Sequence, residues 1–225
     1  MEPLQIYHGS SDIINRPVYG LGNLRNDYGR GFYCTEHPEL AKEWAVADGR
    51  NGYINTYEFD FSNLRVMQLS SDRYHVLNWL AILLENRLVS LHLPLAIAAK
   101  NYLLENFLPD YKGYDVIIGY RADDSYFSFA RAFVSNQISL EQLSRAMKLG
   151  KLGEQIVLRS PKAFDQLHFL KAEEVSHITY YPKKKSRDLQ ARNDYLNEAQ
   201  NADIHGLFIR DIILEAMQND DPRLR

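Results

Sequence analysis

An α+β fold is the architecture that this sequence predicts, and three observations lead to it. Short segments with strand-like alternation are interleaved with segments of helical periodicity at irregular spacing, which favours α+β over a regular doubly wound sheet. The chain of 225 residues is 45% hydrophobic and 24% charged, as expected for a globular protein with a sizeable core. No internal repeat or low-complexity tract interrupts the pattern. We therefore expect one main domain of small sheets and packed helices.

The strands are predicted from short apolar or alternating segments that end at turn residues. These segments are 4–8, 31–35, 53–61, 64–69, 115–119, 155–159, 167–170 and 175–181, the last ending before Pro182. Residues 11–30 are rich in Asn, Gly, Pro and Asp, so we expect a long loop between the first two strands.

The helices are predicted from apolar positions spaced three and four residues apart and from capping residues. They cover 38–48, 71–88, 94–107, 126–134, 139–150, 189–200 and 205–217. Ser71 or Asp72 is the expected cap of the second, and Ser139 with Gln142 forms a capping-box pattern.

The charge run Lys183–Arg187 is interpreted as a solvated loop and as a boundary. It divides the chain into a domain over 1–182, with a helical insertion at 71–107, and a C-terminal helical extension over 183–225. We expect the insertion to decorate the core of the main domain.

Charge and cysteine usage restrict the function classes. The net charge of −3 gives no global basic field for nucleic acid. A single cysteine, Cys34, excludes an internal disulfide and a zinc site of several cysteines, and no paired-histidine motif is present, so we expect no metal. The beginning of the sequence lacks a signal-peptide pattern, and the apolar stretches 76–84 and 88–99 are too short to span a bilayer. A cytoplasmic protein without a membrane partner is therefore expected.

Two glycine-containing motifs near the start are candidates for a binding site. Tyr7–Ser10 reads YHGS, and its glycine would let a flat ligand approach the backbone beside an imidazole. Asp27–Thr35 reads DYGRGFYCT, and alternation directs Tyr33 and Thr35 to one face and Phe32 and Cys34 to the other. Each motif is also compatible with an ordinary turn and a core strand.

Together the two motifs resemble those of ADP-ribosyltransferases of the His-Tyr-Glu type, the group that includes the poly-ADP-ribose polymerases and diphtheria toxin. More narrowly, the chain resembles the bacterial DUF3990 family, through YHGS, the Asp27–Thr35 motif and a late LxxQ segment at Leu152–Gln155. The resemblance covers roughly residues 4–170. It implies a split β-sandwich, in which two small packed sheets form a cleft for NAD⁺ with helices around them.

The resemblance also implies roles for individual residues. His8 would bind the 2′-hydroxyl of the adenosine ribose, and the backbone of Gly9 would bind the nicotinamide carboxamide. Tyr33 would stack on the nicotinamide ring, and Trp44, eleven residues later, would be a second stacking aromatic. The motif residues expected to border the same NAD⁺ site are Ser10, Gly31, Phe32 and Thr35.

The third motif departs from the family pattern and leaves two registers open. Related enzymes carry a glutamate at the start of a late strand, and here Glu154 and Gln155 compete for that position. Only one of two adjacent strand residues can face the site. A carboxylate could accept a proton, whereas an amide could only bind and position a substrate. The DUF3990 pattern favours Gln155.

Asp123 and Asp124 follow an apolar strand. Two adjacent carboxylates suggest a metal or an acid–base pair, but they are also typical of a helix N-cap, which we favour. The segment also resembles the DUF3990 pattern and could border the site.

The resemblance implies mono-ADP-ribosyl transfer from NAD⁺ to a macromolecule, protein or nucleic acid, with NAD⁺ as co-substrate. The family's bacterial setting suggests the toxin of a toxin–antitoxin pair, with a small antitoxin as partner. An NAD⁺ glycohydrolase and a catalytically inactive NAD-binding or interaction module are the alternatives.

Overall fold

The computed structural model of the chain describes residues 3–122, 127–149, 153–200, 203 and 205–225. Its strands are β1 (Leu4–Ser10), β2 (Phe32–Cys34), β3 (Gly52–Phe59), β4 (Val66–Gln68), β5 (Val116–Tyr120), β6 (Glu154–Leu158) and β7 (Leu167–Val175). Its helices are α1 (Pro38–Ala45), α2 (Val76–Asn86), α3 (Pro94–Asn106), α4 (Phe127–Val134), α5 (Leu140–Leu149), α6 (Pro161–Asp165), α7 (His177–Gln200) and α8 (Ile209–Leu214), followed by a 3-10 turn over Pro222–Leu224. The predicted α+β class is confirmed.

The strands form two sheets that meet at one point. Strands β1, β3 and β7 form an antiparallel sheet in the order β1-β3-β7, and the second sheet has the order β2-β6-β5-β4, in which only the β4–β5 pair is parallel. Tyr7 of β1 and Thr35, just after β2, exchange two backbone hydrogen bonds of 2.8 and 3.0 Å. This pair is the contact that links the sheet containing β1 to the sheet containing β2.

Helix α2 lies inside the largest hydrophobic cluster, although residues 71–107 were expected to decorate the core. Nine of its eleven residues are buried, and the indole N–H of Trp79 donates to the carbonyl of Tyr120 at 3.1 Å. A helix that is apolar on all sides is stable only when neighbours cover every face. The segment is therefore integral to the packing of the second sheet.

The predicted start of α2 is wrong. The helix begins at Val76, where the backbone N–H of His75 donates to the side chain of Asn78 at 2.9 Å. Ser71 instead donates from its hydroxyl to the carbonyl of Gln68 at 2.7 Å, closing a turn before the helix. At α5 the predicted capping box is confirmed, since Ser139 and Gln142 exchange bonds of 2.9 and 3.2 Å.

The predicted strand over 175–181 and the predicted loop over Lys183–Arg187 are both wrong. Strand β7 ends at Val175, and α7 runs from His177 to Gln200 with Pro182 inside it. The helix packs on α1, where Arg187 forms an ion pair with Glu43 and Lys184 donates to a backbone carbonyl. These tertiary contacts outweigh the local signals of alternation and of proline. Position 183, the expected start of the C-terminal extension, lies within this helix.

In the part of the chain that the structure describes, no helix combines the length and the apolar character needed to cross a bilayer.

Candidate functional site

A cavity of about 580 Å³ opens between strands β2 and β6 on one side and helices α1 and α7 on the other. Tyr33 and Gln155, which come from two of the three motifs, line it together with Trp44, the aromatic residue eleven positions after Tyr33. No residue of the Tyr7–Ser10 motif lines it. Asp27, Arg87 and Arg121 line it as well. The fold therefore brings one side chain from each of β2, α1 and β6 to a common space.

Tyr33 is fixed at the wall of this cavity by two hydrogen bonds. Its phenol donates to the carbonyl of Gly29 at 2.6 Å and accepts from the backbone N–H of Tyr28 at 3.1 Å. Burial raises the pKa of the Tyr33 phenol far above its ordinary range. The ring is thus neutral and held in one orientation, as a stacking platform requires.

Trp44 faces the same cavity from α1. The guanidinium of Arg121 lies 4.3 Å from the centre of its ring. The indole nitrogen is buried and has no hydrogen-bond partner among the described residues. A buried indole N–H without a partner is uncommon in folded proteins.

The structure separates Glu154 from Gln155. Gln155 lines the cavity and is 5% exposed, whereas Glu154, its neighbour on β6, does not line it. One oxygen of Glu154, Oε1, is buried without a hydrogen-bond partner in the described part of the chain. Because consecutive strand residues face opposite sides, the register on β6 leaves Gln155 at the cavity.

Asp27 carries a buried carboxylate, and the sequence motifs predicted no role for it. It accepts hydrogen bonds from Gln155 Nε2 at 3.0 Å, from Arg87 Nη1 at 3.0 Å and from the backbone N–H of Ala122 at 2.9 Å. The only signal in the sequence was its place at the start of the DYGRGFY motif. A buried carboxylate needs such partners, so Asp27 ties the loop before β2 to β6 and α2.

Asp123 and Asp124, which directly follow Ala122 in the chain, lie outside the described residues.

His8 reaches β2 rather than the cavity. Its Nδ1 lies 2.7 Å from the carbonyl oxygen of Tyr33, and its ring packs on Phe32 with the ring centres 4.3 Å apart. Since a carbonyl can only accept, Nδ1 carries the proton, and Nε2 of the neutral ring is left as an acceptor. Burial lowers the pKa of His8 below its ordinary value of 6.5, although the bond to Tyr33 opposes this effect.

The lowered pKa of His8 predicts a pH effect. An unfolded histidine binds protons more tightly than this folded one, so stability should fall as the pH drops below about 6.5. Urea unfolding of the wild type and of His8→Asn at pH 7.5 and 5.5 checks this. The wild type should lose more stability than the variant, in which other histidines titrate unchanged. Equal losses would contradict the assignment.

Gly9 permits close packing between β1 and α1. A Cβ atom at Gly9 would lie 1.9 Å from the carbonyl oxygen of Ala41 and 2.7 Å from the backbone nitrogen of Ala45. The backbone N–H and C=O groups of Tyr7 point away from β3, because they bond to Thr35. In an antiparallel pair these groups alternate in direction along the strand, so those of Gly9, two residues later, also point away from β3. Its N–H therefore points away from β3, toward the side on which Tyr7 bonds to Thr35.

Replacing Gly9 with alanine is expected to lower the free energy of unfolding by about 2 kcal/mol, because backbone atoms of α1 cannot move aside. Gly113→Ala is the matched control, since its Cβ would meet only the mobile end of Arg65 at 3.0 Å. Thermal or urea unfolding of the two variants checks the prediction. Equal stabilities would show that α1 adjusts.

The other motif residues expected at the NAD⁺ site do not line the cavity, and their roles there stay predictions. The Ser10 hydroxyl donates to the carbonyl of Asp12 at 2.6 Å, and Thr35 is fully buried. Phe32 packs under His8, and Gly31 lies where a Cβ would meet Val157 at 2.6 Å. Each therefore has a packing or hydrogen-bonding role of its own in the strands that carry the site.

Comparison with known proteins gives one match. A model of the family described as a protein of unknown function, DUF3990, matches residues 4–169. The matched region contains β1 to β6 and most of the cavity wall, and it ends before α7. Neither the curated proteins nor the solved structures contain a match to the chain.

Proposed function

We propose that this chain, which belongs to the DUF3990 family of proteins of unknown function, binds NAD⁺ and transfers its ADP-ribose unit to a macromolecule. The observation that carries the proposal is the convergence of Tyr33, Trp44 and Gln155 on one cavity. Tyr33 and Gln155 come from two motifs that resemble those of ADP-ribosyltransferases of the His-Tyr-Glu type, and Trp44 lies where the resemblance implies a second stacking aromatic. The two sheets that diverge beyond Tyr7 are compatible with the split sandwich of that group.

The nicotinamide ring would lie between Tyr33 and Trp44. Two aromatic walls on one cavity suit a flat heteroaromatic ring, and each stacked pair contributes about 0.5–1.5 kcal/mol beyond the burial of its area. The resemblance assigns the backbone N–H of Gly9 to the nicotinamide carboxamide, although Gly9 does not line the cavity.

Gln155 would hold the ribose attached to nicotinamide. Asp27 forms an ion pair with Arg87, and a carboxylate can only accept, so the Gln155 amide nitrogen faces it. The amide oxygen of Gln155 is then the group left to accept a ribose hydroxyl. This contact would stabilise the oxocarbenium-like transition state as the bond to nicotinamide breaks. Nicotinamide leaves as a neutral base, so the step needs no general acid.

His8 does not line the cavity, and by the resemblance it would bind the ribose at the adenosine end of NAD⁺ through Nε2. Its Nδ1 proton is committed to the carbonyl of Tyr33, and burial keeps the ring neutral at physiological pH. A neutral imidazole with a free acceptor suits the adenosine ribose.

Labelled NAD⁺ incubated with the chain and a bacterial lysate tests the proposal. Label on a macromolecule is expected. Free ADP-ribose would instead indicate a glycohydrolase, and NAD⁺ binding without either product would indicate an inactive binding module, which the glutamine at position 155 favours.

Two substitutions are expected to weaken NAD⁺ binding. Tyr33→Ala removes a stacking face, and His8→Ala removes the ribose acceptor, so each should raise the Kd at least about tenfold. Titration calorimetry checks both variants, with circular dichroism to verify folding. Tyr19→Ala, a half-exposed tyrosine outside the cavity, is the control. Unchanged affinity in both site variants would rule out this site.

A further inference from the structure

A second cavity, of about 470 Å³, opens beside the segment that leads into β2. Gly29, Arg30 and Gly31 line it, and it shares no described lining residue with the cavity at Tyr33. The carbonyl of Gly29 accepts the phenol of Tyr33 at 2.6 Å. Residues 29–33 therefore border both cavities, with Tyr33 at one and Arg30 at the other.

Arg159 is held at the wall of the second cavity by Tyr111. Its Nη1 donates to the carbonyl of Tyr111 at 3.0 Å, and its guanidinium lies 4.8 Å from the centre of the Tyr111 ring. The Tyr111 phenol in turn donates to Glu85 and accepts from Asn86 Nδ2 at 3.0 Å. Nη2 of Arg159 donates to no residue in the described part of the chain. The guanidinium is thus fixed in place and still has N–H donors to spare.

Cations outnumber carboxylates among the described residues at the second cavity, although the whole chain carries a net charge of −3. The cations are Arg30, Lys112 and Arg159, and the carboxylate is Glu85, which pairs with Lys112 at 3.0 Å. Neither arginine forms an ion pair with a carboxylate of the described ranges. A concave site with a surplus of one charge sign concentrates ligands of the opposite sign.

Two of these cations lie at the end of the β5–β6 ladder that the structure describes without a gap. Arg159 directly follows Leu158, which pairs with Val116, and Lys112 lies four residues before Val116. The other end of the ladder leads to residues 123–126 and 150–152, which are outside the described ranges. Five-residue strands separate the two ends by about 13 Å.

An exposed aromatic ring borders the same cavity. Tyr19 is 53% exposed, and it meets Phe164 edge-to-face with the ring centres 5.6 Å apart. Since an edge-to-face pair covers at most one face of each ring, at least one face of Tyr19 is left free of Phe164. Aromatic rings beside cations are typical of sites for single-stranded nucleic acid, in which bases stack on the rings and phosphates lie on the cations.

We propose that the second cavity binds a single-stranded nucleic acid, with a phosphate at Arg30 and Arg159 and a neighbouring base on Tyr19. Guanidinium groups present paired N–H donors to phosphate oxygens, and stacking on an aromatic ring accommodates any base. The inference rests on the proposed function, under which the strand is the acceptor of ADP-ribose. Residues 29–33 would then place this acceptor next to the NAD⁺ cavity.

The test measures binding of a fluorescein-labelled single-stranded oligonucleotide to the full chain by anisotropy, at several salt concentrations and without NAD⁺. The site variants are Tyr19→Ala, Tyr19→Phe and Arg30→Gln. The controls are Leu21→Ala and Arg25→Gln, which change exposed residues of the same loop that do not line the second cavity. A labelled polyglutamate peptide is the second probe, and circular dichroism verifies that each variant folds.

We expect Tyr19→Ala and Arg30→Gln each to bind the oligonucleotide about tenfold more weakly than the wild type. Tyr19→Phe, which keeps the ring, and the two controls should bind like the wild type. Arg30→Gln should also lower the slope of the salt dependence by about one. The affinity for NAD⁺ should stay unchanged in all these variants, because none of the altered residues lines the NAD⁺ cavity.

Wild-type affinity for the oligonucleotide in both Tyr19→Ala and Arg30→Gln overturns the proposal. An equal loss in Arg25→Gln also overturns it, because the effect would then come from the overall charge of the loop. If polyglutamate binds as tightly as the oligonucleotide and loses affinity only in Arg30→Gln, the site takes an acidic protein and the choice of nucleic acid is wrong. The oligonucleotide binds without NAD⁺ in this experiment, so a failure of ADP-ribose transfer would leave the binding result intact.

Discussion

Gln155→Ala is expected to lower the rate of ADP-ribose transfer about 100-fold while leaving NAD⁺ affinity within a few-fold of the wild type. The amide oxygen of Gln155 would act on the ribose mainly as positive charge develops in the transition state, so kcat should fall more than KM rises. Single-turnover measurement of nicotinamide release, with the Kd of NAD⁺ measured separately, checks this split. An equal loss in binding and in rate would indicate a purely structural role.

The contact between Gln155 and Asp27 gives a sharper version of the experiment. Gln155→Glu places a second carboxylate about 3 Å from the buried carboxylate of Asp27. Two buried carboxylates at this distance cannot both be ionised without a large cost in free energy. We expect this variant to be less active or less stable than the wild type at neutral pH. Adding Asp27→Asn restores a donor opposite the new carboxylate.

The double variant Asp27→Asn/Gln155→Glu should therefore recover part of what Gln155→Glu loses. It would also supply a carboxylate that can accept a proton, so its activity should rise with pH. If the two substitutions combine additively, the side chains do not act as a unit and the proposed orientation of the amide is wrong.

Arg187→Ala is expected to lower the free energy of unfolding by about 3 kcal/mol. Glu43 would keep its charge in a buried position and lose both hydrogen bonds from the guanidinium. Urea unfolding at pH 7 measures the loss.

Arg192→Ala is the matched control for this prediction. Arg192 lies on the same helix and pairs with Asp188 at 2.9 Å, but both side chains are exposed, at 60% and 44%. Its removal should cost less than about 1 kcal/mol. A loss for Arg187→Ala as small as this would mean that water reaches Glu43 and that the pair does not hold α7 in place.

Much of the fold followed from local pattern. The alternation around Tyr33 and Phe32 predicted which side chain faces which way, and Phe32 indeed packs with His8 while Tyr33 lines the cavity. The capping box at Ser139 and the loop over 11–30 were also readable, because turn and cap residues act within a few positions of the chain.

The wrong predictions concern segments whose secondary structure depends on contacts with residues far away in the sequence. Residues 175–181 alternate like a strand and end before a proline, yet the segment beyond Val175 is the start of α7. This helix packs on α1, where Tyr180 donates to Glu39 and Arg187 pairs with Glu43. Patterns within a few residues of the chain cannot predict such contacts, because the contacting residues are more than a hundred positions apart in the sequence.

The sequence by itself determined the α+β class, the DUF3990 resemblance, the motif residues His8 and Tyr33, and the pair Glu154 and Gln155 as alternatives for the third motif position. Only the tertiary structure decided that Gln155 rather than Glu154 lines the cavity, because the side of a strand that faces a site depends on its register with neighbouring strands. The burial of Asp27 among Gln155, Arg87 and Ala122 was likewise decided by the tertiary structure. Burial and charge proximity are properties of assembled elements, and a motif carries them only once the chain has folded.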